Sequence, residues 1–454
     1  MRKILKHLVI LTFAVTAYGT LCGELVLAQP ILRGAQATPQ TQTPTATLQT
    51  AERKVTAYTL PPDLYKKAHD LGSISFRLAL LGFAYGLIVL WIILHFHVSS
   101  RFRDGAEAAS SNRFLQACIF TFPLALTIAI LRLPLRMYGH HIYFAYGLSV
   151  QRWPSWFADW GKSQLLVLAL GICLVSILYS VIRHSPRHWW FYFWLISLPI
   201  TVLLVFIQPL IIDPLFNKFE PLSSKDQALT ASLEQMVQRA GEDIPPERIF
   251  WMGASEKTTE LNAYVTGVGA SKRIVVWDTT LAKMNTPQIV TVAGHEMGHY
   301  VLHHVLKGLL FVAVGLFVLF YLGYRCIDWV LARWGSASKI RGVSDLASLP
   351  ALLLLLSIFS FAANPISNAY SRHIEHQADQ YALEVCHGLI PDSGQVAAQA
   401  EQILGEVDLS DPDPNPIDVF LFYTHPPTAD RIRFELTYDP WSAGGHGEFV
   451  PQLR

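Results

Sequence analysis

The chain has 454 residues, 52% of them hydrophobic and 15% charged, with a formal net charge of +1. An average soluble domain carries roughly 25% charged residues, so this much apolar surface calls for lipid as its solvent, and the near-neutral balance excludes the basic footprint of a nucleic-acid binder. The five cysteines, Cys22, Cys118, Cys173, Cys326 and Cys386, show no metal-ligand spacing and do not read as a disulfide framework.

In chain order, "MRKILKHLVILTFAVTAYGTLCGELVLAQ" comes first. A basic start, an apolar stretch and small residues near Ala28 predict a signal peptide or a first membrane helix over residues 1–28. Gly19, Thr20 and Leu21 give Cys22 no small residue just ahead of it, which argues against lipidation there. Residues 29–58, rich in Thr, Pro and Gln, read as a disordered linker.

Long apolar runs follow at about Phe76–Phe96, Phe114–Leu131, Gln164–Ile182, Trp189–Ile212, Val305–Tyr324 and Leu346–Ala363. Each approaches or reaches the roughly 20 residues that a spanning helix needs. Aromatic flanks such as "RHWWFYFW" suit the membrane interface. Residues 59–212 are therefore expected to hold the N-terminal membrane helices.

A polar segment, Asp213 to His304, interrupts the spans. Its start, "DQALTASLEQMVQRAGEDIPPERIFWM", predicts an amphipathic helix, a turn and a strand. The stretch "TELNAYVTGVGASKRIVVWDTTL" predicts a hairpin. Residues 213–440 are expected to form one domain that includes the last two spans, and 441–454 a tail.

The chemistry is concentrated in "GHEMGHY". His295 and His299, four apart on a helix, share one face and can direct two imidazoles at one ion. Glu296 beside them can act as a general base on water. Gly294 and Gly298 are small residues that let a neighbouring helix approach. A catalytic zinc site usually has three protein ligands and one open position. His303 and His304 continue the same helix and read as membrane-interface histidines, with a metal role as the alternative. Glu375 in "SRHIEHQADQYA" is the better third ligand, because it follows the final span and re-emerges at the same membrane face. Asp379, four residues on, could orient a ligand histidine, and Arg372 could fix the Glu375 carboxylate. On spacing alone, a surface helix with ordinary ion pairs remains open.

Six segments resemble the CAAX prenyl endopeptidases, a family of integral-membrane zinc metallopeptidases. They are "LPPDLYKKA" at Leu60, "IDPLFNKFEPL" at Ile212, "LNAYVTGVGASKRIVVWDTTL" at Leu261, "GHEMGHY" at Gly294, "SRHIEHQAD" at Ser371 and "THPPTADR" at Thr424. The resemblance implies a mainly α fold, a polytopic membrane helix barrel with an inserted α+β, gluzincin-like metallopeptidase domain. It implies one Zn²⁺ per chain held by His295, His299 and Glu375, with Glu296 as base and Asp379 behind the ligands. It further implies that Asn262, Ala263 and Tyr264 lie on an edge strand that pairs with an extended substrate. His425 and Arg431 would face the site, with His425 on the oxyanion.

Partners expected on these grounds are a peptide or protein substrate, lipidated ones included, and membrane lipids, but no nucleic acid. Trimming of prenylated proteins is the family's named activity. General clearance of damaged membrane or exported proteins is the alternative. A non-catalytic transporter or receptor explains the spans but leaves Glu296 between two histidines unexplained. The short basic loops at Arg101–Arg103, Arg183–Arg187 and Arg333–Arg341 alternate onto one side, so the positive-inside rule puts the metal domain outside the cytoplasm. Eukaryotic members of the family face the cytosol, and the two expectations conflict.

Overall fold

The structure, a computed structural model, describes residues 54–267 and 271–450. The expected leader and most of the expected linker, residues 1–53, lie outside the described residues.

Five helices open the described chain: α1 (Pro62–His95), α2 (Val98–Ala109), α3 (Arg113–Ala145), α4 (Trp153–His184) and α5 (Trp189–Ile207). A mixed segment follows, with strand β1 (Lys218–Pro221), helix α6 (Gln227–Arg239), strands β2 (Ile249–Gly253), β3 (Ala263–Thr266) and β4 (Arg273–Trp277), and helix α7 (Thr286–Val301). Two long helices, α8 (His304–Trp334) and α9 (Leu349–Cys386), come next, then α10 (Ser393–Val407), α11 (Pro416–Phe422) and α12 (Thr428–Thr437). Six helices among the described residues are long and apolar enough to cross a membrane: α1, α3, α4, α5 with its continuation to Phe216, α8 and α9.

The membrane helices wear their apolar residues on both sides. Inward, Phe120, Leu124, Tyr179, Phe193, Phe320 and Leu352 form one continuous core. Outward, Leu165 and Val314 are 68% and 65% exposed, the pattern of a surface solvated by lipid. Pro123, Pro134 and Pro199 sit inside spans, where neighbouring helices can re-satisfy the freed carbonyls. At one end of the bundle Arg103 pairs with buried Asp345, and Arg341 reaches Glu107 and Asp104. These pairs join α2 to the loop between α8 and α9.

The opposite end carries the polar domain. Its sheet has the order β1-β2-β4-β3, with β2 and β4 parallel and both outer pairs antiparallel. The hairpin read from the sequence is β3–β4, and β3 is an edge strand. The loop between α3 and α4, together with the first turns of α4, is stitched to this domain. Val150 N–H donates to Lys257 O at 3.1 Å, Ser149 Oγ–H donates to the same carbonyl at 2.9 Å, and Lys257 Nζ lies 2.6 Å from Asp159 Oδ2. His69 of α1 reaches Asp411 at 3.0 Å. Residues 54–58, from the stretch expected to be linker, also pack here. Val55 and Tyr58 join Ala398 and Ile432 in a small core, and Tyr58 Oη–H donates to Ser410 O at 2.9 Å.

Two elements position the site. Helix α7 starts at a reciprocal cap: the Asn285 side chain accepts from Gln288 N–H, and the Gln288 side chain accepts from Asn285 N–H. It then packs on α9 through glycine. A Cβ on Gly298 would come within 3.0 Å of Tyr381 Cβ, and one on Gly294 within 3.2 Å of Val385 Cγ1. The small residues therefore set the closeness of two helices that both carry polar side chains into the same place. Helix α9 is one continuous helix of 38 residues. It carries a membrane span in its first half and Glu375 and Asp379 in its second.

The stretch after α7 departs from expectation. The sequence predicts that His303 and His304 continue the α7 helix. Instead the chain breaks at His303, which takes a left-handed conformation with φ 57°, and α8 starts afresh at His304. The consequence is local: His304 turns inward and is 1% exposed.

Candidate metal centre

His295 and His299 lie on the face of α7 that meets α9, and both are buried. Their Nε2 atoms are 3.2 Å apart. Glu375 brings its carboxylate to the same point, Oε2 at 3.3 Å from His295 Nε2 and Oε1 at 3.6 Å from His299 Nε2. Ligand atoms of the three residues lie within 4.8 Å of one another. Three ligands on a tetrahedral zinc at about 2.1 Å are roughly 3.4 Å apart, so the separations suit one such ion. Glu375 Oε2 is buried without a hydrogen-bond partner, although His295 Nε2 and His425 Nε2 lie 3.3 and 3.2 Å from it, so it retains the capacity to bind a metal ion. The donor set and its spacing fit a metal ion of the zinc kind.

Glu296 is next to His295 and 4% exposed. Burial pushes its carboxyl up to about 7, against the pull of His295 and His299. His425 enters from the segment between α11 and α12. Its Nε2 lies 3.2 Å from Glu375 Oε2, without hydrogen-bond alignment to it, since neither atom has a partner. Burial lowers the His425 pKa, with the Glu375 carboxylate opposing, which favours a neutral imidazole.

Behind His295 the polar groups continue. Asp379 Oδ1 is 2.7 Å from His295 Nδ1. Arg431 of α12 donates from Nε to Asp379 Oδ2 at 2.9 Å and pairs through Nη1 with Glu401 Oε1 of α10 at 2.8 Å. Burial alone would lower the Arg431 pKa; the Asp379 and Glu401 carboxylates outweigh it and hold the guanidinium well above its ordinary value. Arg431 thus meets the centre from behind, 3.4 Å from His295 Nδ1, as a brace on Asp379. Asn262 lines a cavity of about 30 Å³ together with His295, Glu296, Glu401 and Glu435. Its N–H donates to Thr280 Oγ1 at 2.7 Å, and its side-chain Nδ2 has no partner. Ala263 and Tyr264 follow on the edge strand β3, both buried.

One residue sits elsewhere than expected. Arg372 does not touch Glu375. It donates through Nη1 to Val419 O at 3.0 Å and Tyr423 O at 2.6 Å. Tyr423 caps the C-terminal end of α11, where carbonyls lack intrahelical donors, and Val419 O also accepts from Tyr423 N–H at 3.4 Å. Sequence reading places His304 at the membrane interface, whereas it is buried against His299, and it misses Gln377, Glu401 and Glu435. The last two lie on α10 and α12, and only tertiary packing brings them behind His295.

The chain matches two family models. Residues 46–218 match the model for the CAAX prenyl protease N-terminal region with five membrane helices, and residues 223–437 match that for peptidase family M48. An uncharacterized metalloprotease of Bacillus subtilis, YhfN, is 36% identical over 379 residues, 82% of this chain and 86% of that one. CAAX prenyl protease 1 of Saccharomyces cerevisiae is 27% identical over 332 residues, 70% of this chain and 71% of that one. Among solved structures, that of Ste24p from S. mikatae superposes with a TM-score of 0.69 at 24% identity, covering 94% of this chain and 97% of that chain.

Proposed function

The chain belongs to peptidase family M48, among the membrane metalloendopeptidases that include the CAAX prenyl proteases, and we propose that its centre binds one zinc ion through His295, His299 and Glu375. The observation that carries this reading is the convergence of two Nε2 atoms and one carboxylate, each 3.2–3.6 Å from the others. A zinc ion held there acidifies water and polarises a carbonyl, which is the chemistry of metal-assisted peptide hydrolysis.

The chain's own residues do the rest. Glu296 takes the proton of the attacking water and delivers it to the leaving amine. Burial raises the hold of this carboxyl on a proton, which suits a group that must take a proton and give it back. His425 donates from its imidazole to the oxygen that becomes negative as the carbonyl is attacked. Asp379 fixes the His295 ring, and Arg431 fixes Asp379. The substrate enters as an extended strand along β3 beside Asn262, Ala263 and Tyr264; Asn262, whose N–H and C=O are already paired with Thr280 and Trp277, offers its unpartnered side-chain amide.

We propose as substrate class the C-terminal or loop segments of membrane-attached proteins. They could be prenylated, as the names of the relatives suggest, or damaged membrane and exported proteins. The same chain purified in detergent tests the chemistry. Glu296→Gln should keep about one zinc per chain by metal analysis and lose peptide cleavage by three or more orders of magnitude. Glu375→Ala should lose the metal. A Glu296→Gln variant that cuts a peptide at the wild-type rate would remove the general-base role, and full zinc in Glu375→Ala would demand another third ligand.

We further propose that the centre faces away from the cytoplasm. Basic residues Arg101, Arg103, Arg183, Arg187, Arg333, Lys339 and Arg341 mark the other end of the helices. Part of this charge is neutralised locally, since Arg103 pairs with Asp345 and Arg341 with Glu107. A cysteine at Gly445 should react with an impermeant thiol reagent on intact cells. Labelling only after lysis reverses the orientation.

A further inference from the structure

His299 turns Nε2 towards the centre, 3.2 Å from His295 Nε2. Its other nitrogen, Nδ1, points away and lies 3.1 Å from Nδ1 of His304. His304 in turn brings its Nε2 to 3.1 Å from Gln377 Oε1. His304 is 1% exposed, and Gln377 lies on α9 between Glu375 and Asp379.

The protons on this row are fixed by counting. A neutral imidazole has one N–H and one lone pair. If His299 gives its Nε2 lone pair to a metal, its proton is on Nδ1 and must be donated. The only nitrogen in front of it among these groups is His304 Nδ1, which must then accept. His304 therefore carries its proton on Nε2, and Gln377 Oε1 accepts it. Every donor on the row meets an acceptor. The reverse tautomer of His304 would set two N–H groups against each other at 3.1 Å.

The backbone is bent to make this row. On an unbroken helix a residue five positions beyond His299 is rotated about 140° from it and cannot stand opposite its ring. The left-handed turn at His303 (φ 57°), an uncommon conformation for a residue with a side chain, starts a new helix and brings His304 back over His299. The rings meet edge to face, with centroids 5.1 Å apart at 69°. We propose that His304 is a positioning residue that holds His299 in the tautomer and orientation needed to ligate metal, with Gln377 setting the tautomer of His304. This rests on the reading of the centre as a zinc site.

Zinc affinity of the full-length protein in detergent tests it, measured by titrating the stripped protein with Zn²⁺ against a chromophoric chelator. His304→Leu removes the acceptor and should weaken zinc about 10- to 100-fold, the usual effect of losing such an outer partner. His304→Asn keeps an acceptor near the position of Nδ1 and should recover most of the loss. Gln377→Leu leaves both histidines in place and should weaken zinc by a smaller factor in the same direction. Equal affinity in His304→Leu and wild type overturns the proposal. So does an Asn variant as weak as the Leu variant, which would make the role one of packing. If His304→Leu fails to fold by thermal melt, wild-type affinity in Gln377→Leu still breaks the row. Failure of the zinc reading itself is separate: His295→Ala would then bind zinc as well as wild type.

Discussion

His295 and His299 stand four residues apart on one helix and present the same nitrogen to the same point, yet they are supported by opposite chemistry. Behind His295 runs a charged row, Asp379, Arg431 and Glu401, all buried. Behind His299 the row is uncharged, His304 and then Gln377. A charged row costs desolvation and offsets it only while every link is present. A neutral row is cheaper to build and cheaper to break. The charged side also spans three helices, α9, α10 and α12, so it ties the domain together as well as orienting a ring. The neutral side involves only α8 and α9, beside the membrane.

The largest expected effect comes from cutting the charged row at its centre. Arg431→Met leaves Asp379 and Glu401 as buried carboxylates without a cation. Breaking such a pair typically costs about 3–5 kcal/mol, and the loss should appear as a large drop in thermal midpoint even for the metal-free protein. If Arg431→Met melts like wild type, the row carries no stability and the contrast between the two sides fails. A smaller effect separates orientation from stability. Asp379→Asn keeps an acceptor for His295 but removes the charge that strengthens the bond. Zinc affinity should fall about 10- to 100-fold, and by more than in His304→Asn. Equal losses in the two variants would mean that charge behind His295 adds nothing.

The two sides also differed in how far the sequence revealed them. The i, i+4 pair of histidines fixes a shared helix face from spacing alone, and Glu375 follows from where the last span must end. Asp379 follows from its i+4 relation to Glu375. Six spans were legible because lipid demands long apolar runs, and runs of that length survive any detail of packing. The neutral row was not legible. It depends on a left-handed turn at His303, a residue whose type gives no signal for it, and a continuous-helix reading turns His304 the wrong way. Arg372 was misassigned for a related reason. It lies at i−3 from Glu375, which allows an ion pair, but the carbonyls of Val419 and Tyr423 at the end of α11 compete for it, and their position is a tertiary fact. Glu401 and Glu435 belong to helices far apart in sequence, with no spacing to connect them to His295.

Glu435 gives the smallest test, and one that sharpens the comparison. It lies in the same buried region as the charged row and lines the cavity behind the centre, where Arg431, the cation that acts on it, also pairs with Asp379 and Glu401. Burial, with Glu401 and Asp379 nearby, raises its pKa well above the ordinary carboxyl value, so folding favours its protonated form. The sign follows. An acid whose folded pKa is raised contributes its full stability below the unfolded pKa, and loses it as pH rises towards the folded pKa. Glu435→Gln carries no such titration. The variant should therefore match wild type near pH 4.5 and become progressively more stable than it as pH rises to 8, read as the difference between their thermal midpoints. A difference that stays flat between pH 6 and pH 8 would show that Glu435 is already ionised in the folded protein. The charged row would then hold three carboxylates against one guanidinium, and the simple pairing of Arg431 with Asp379 and Glu401 would have to be redrawn.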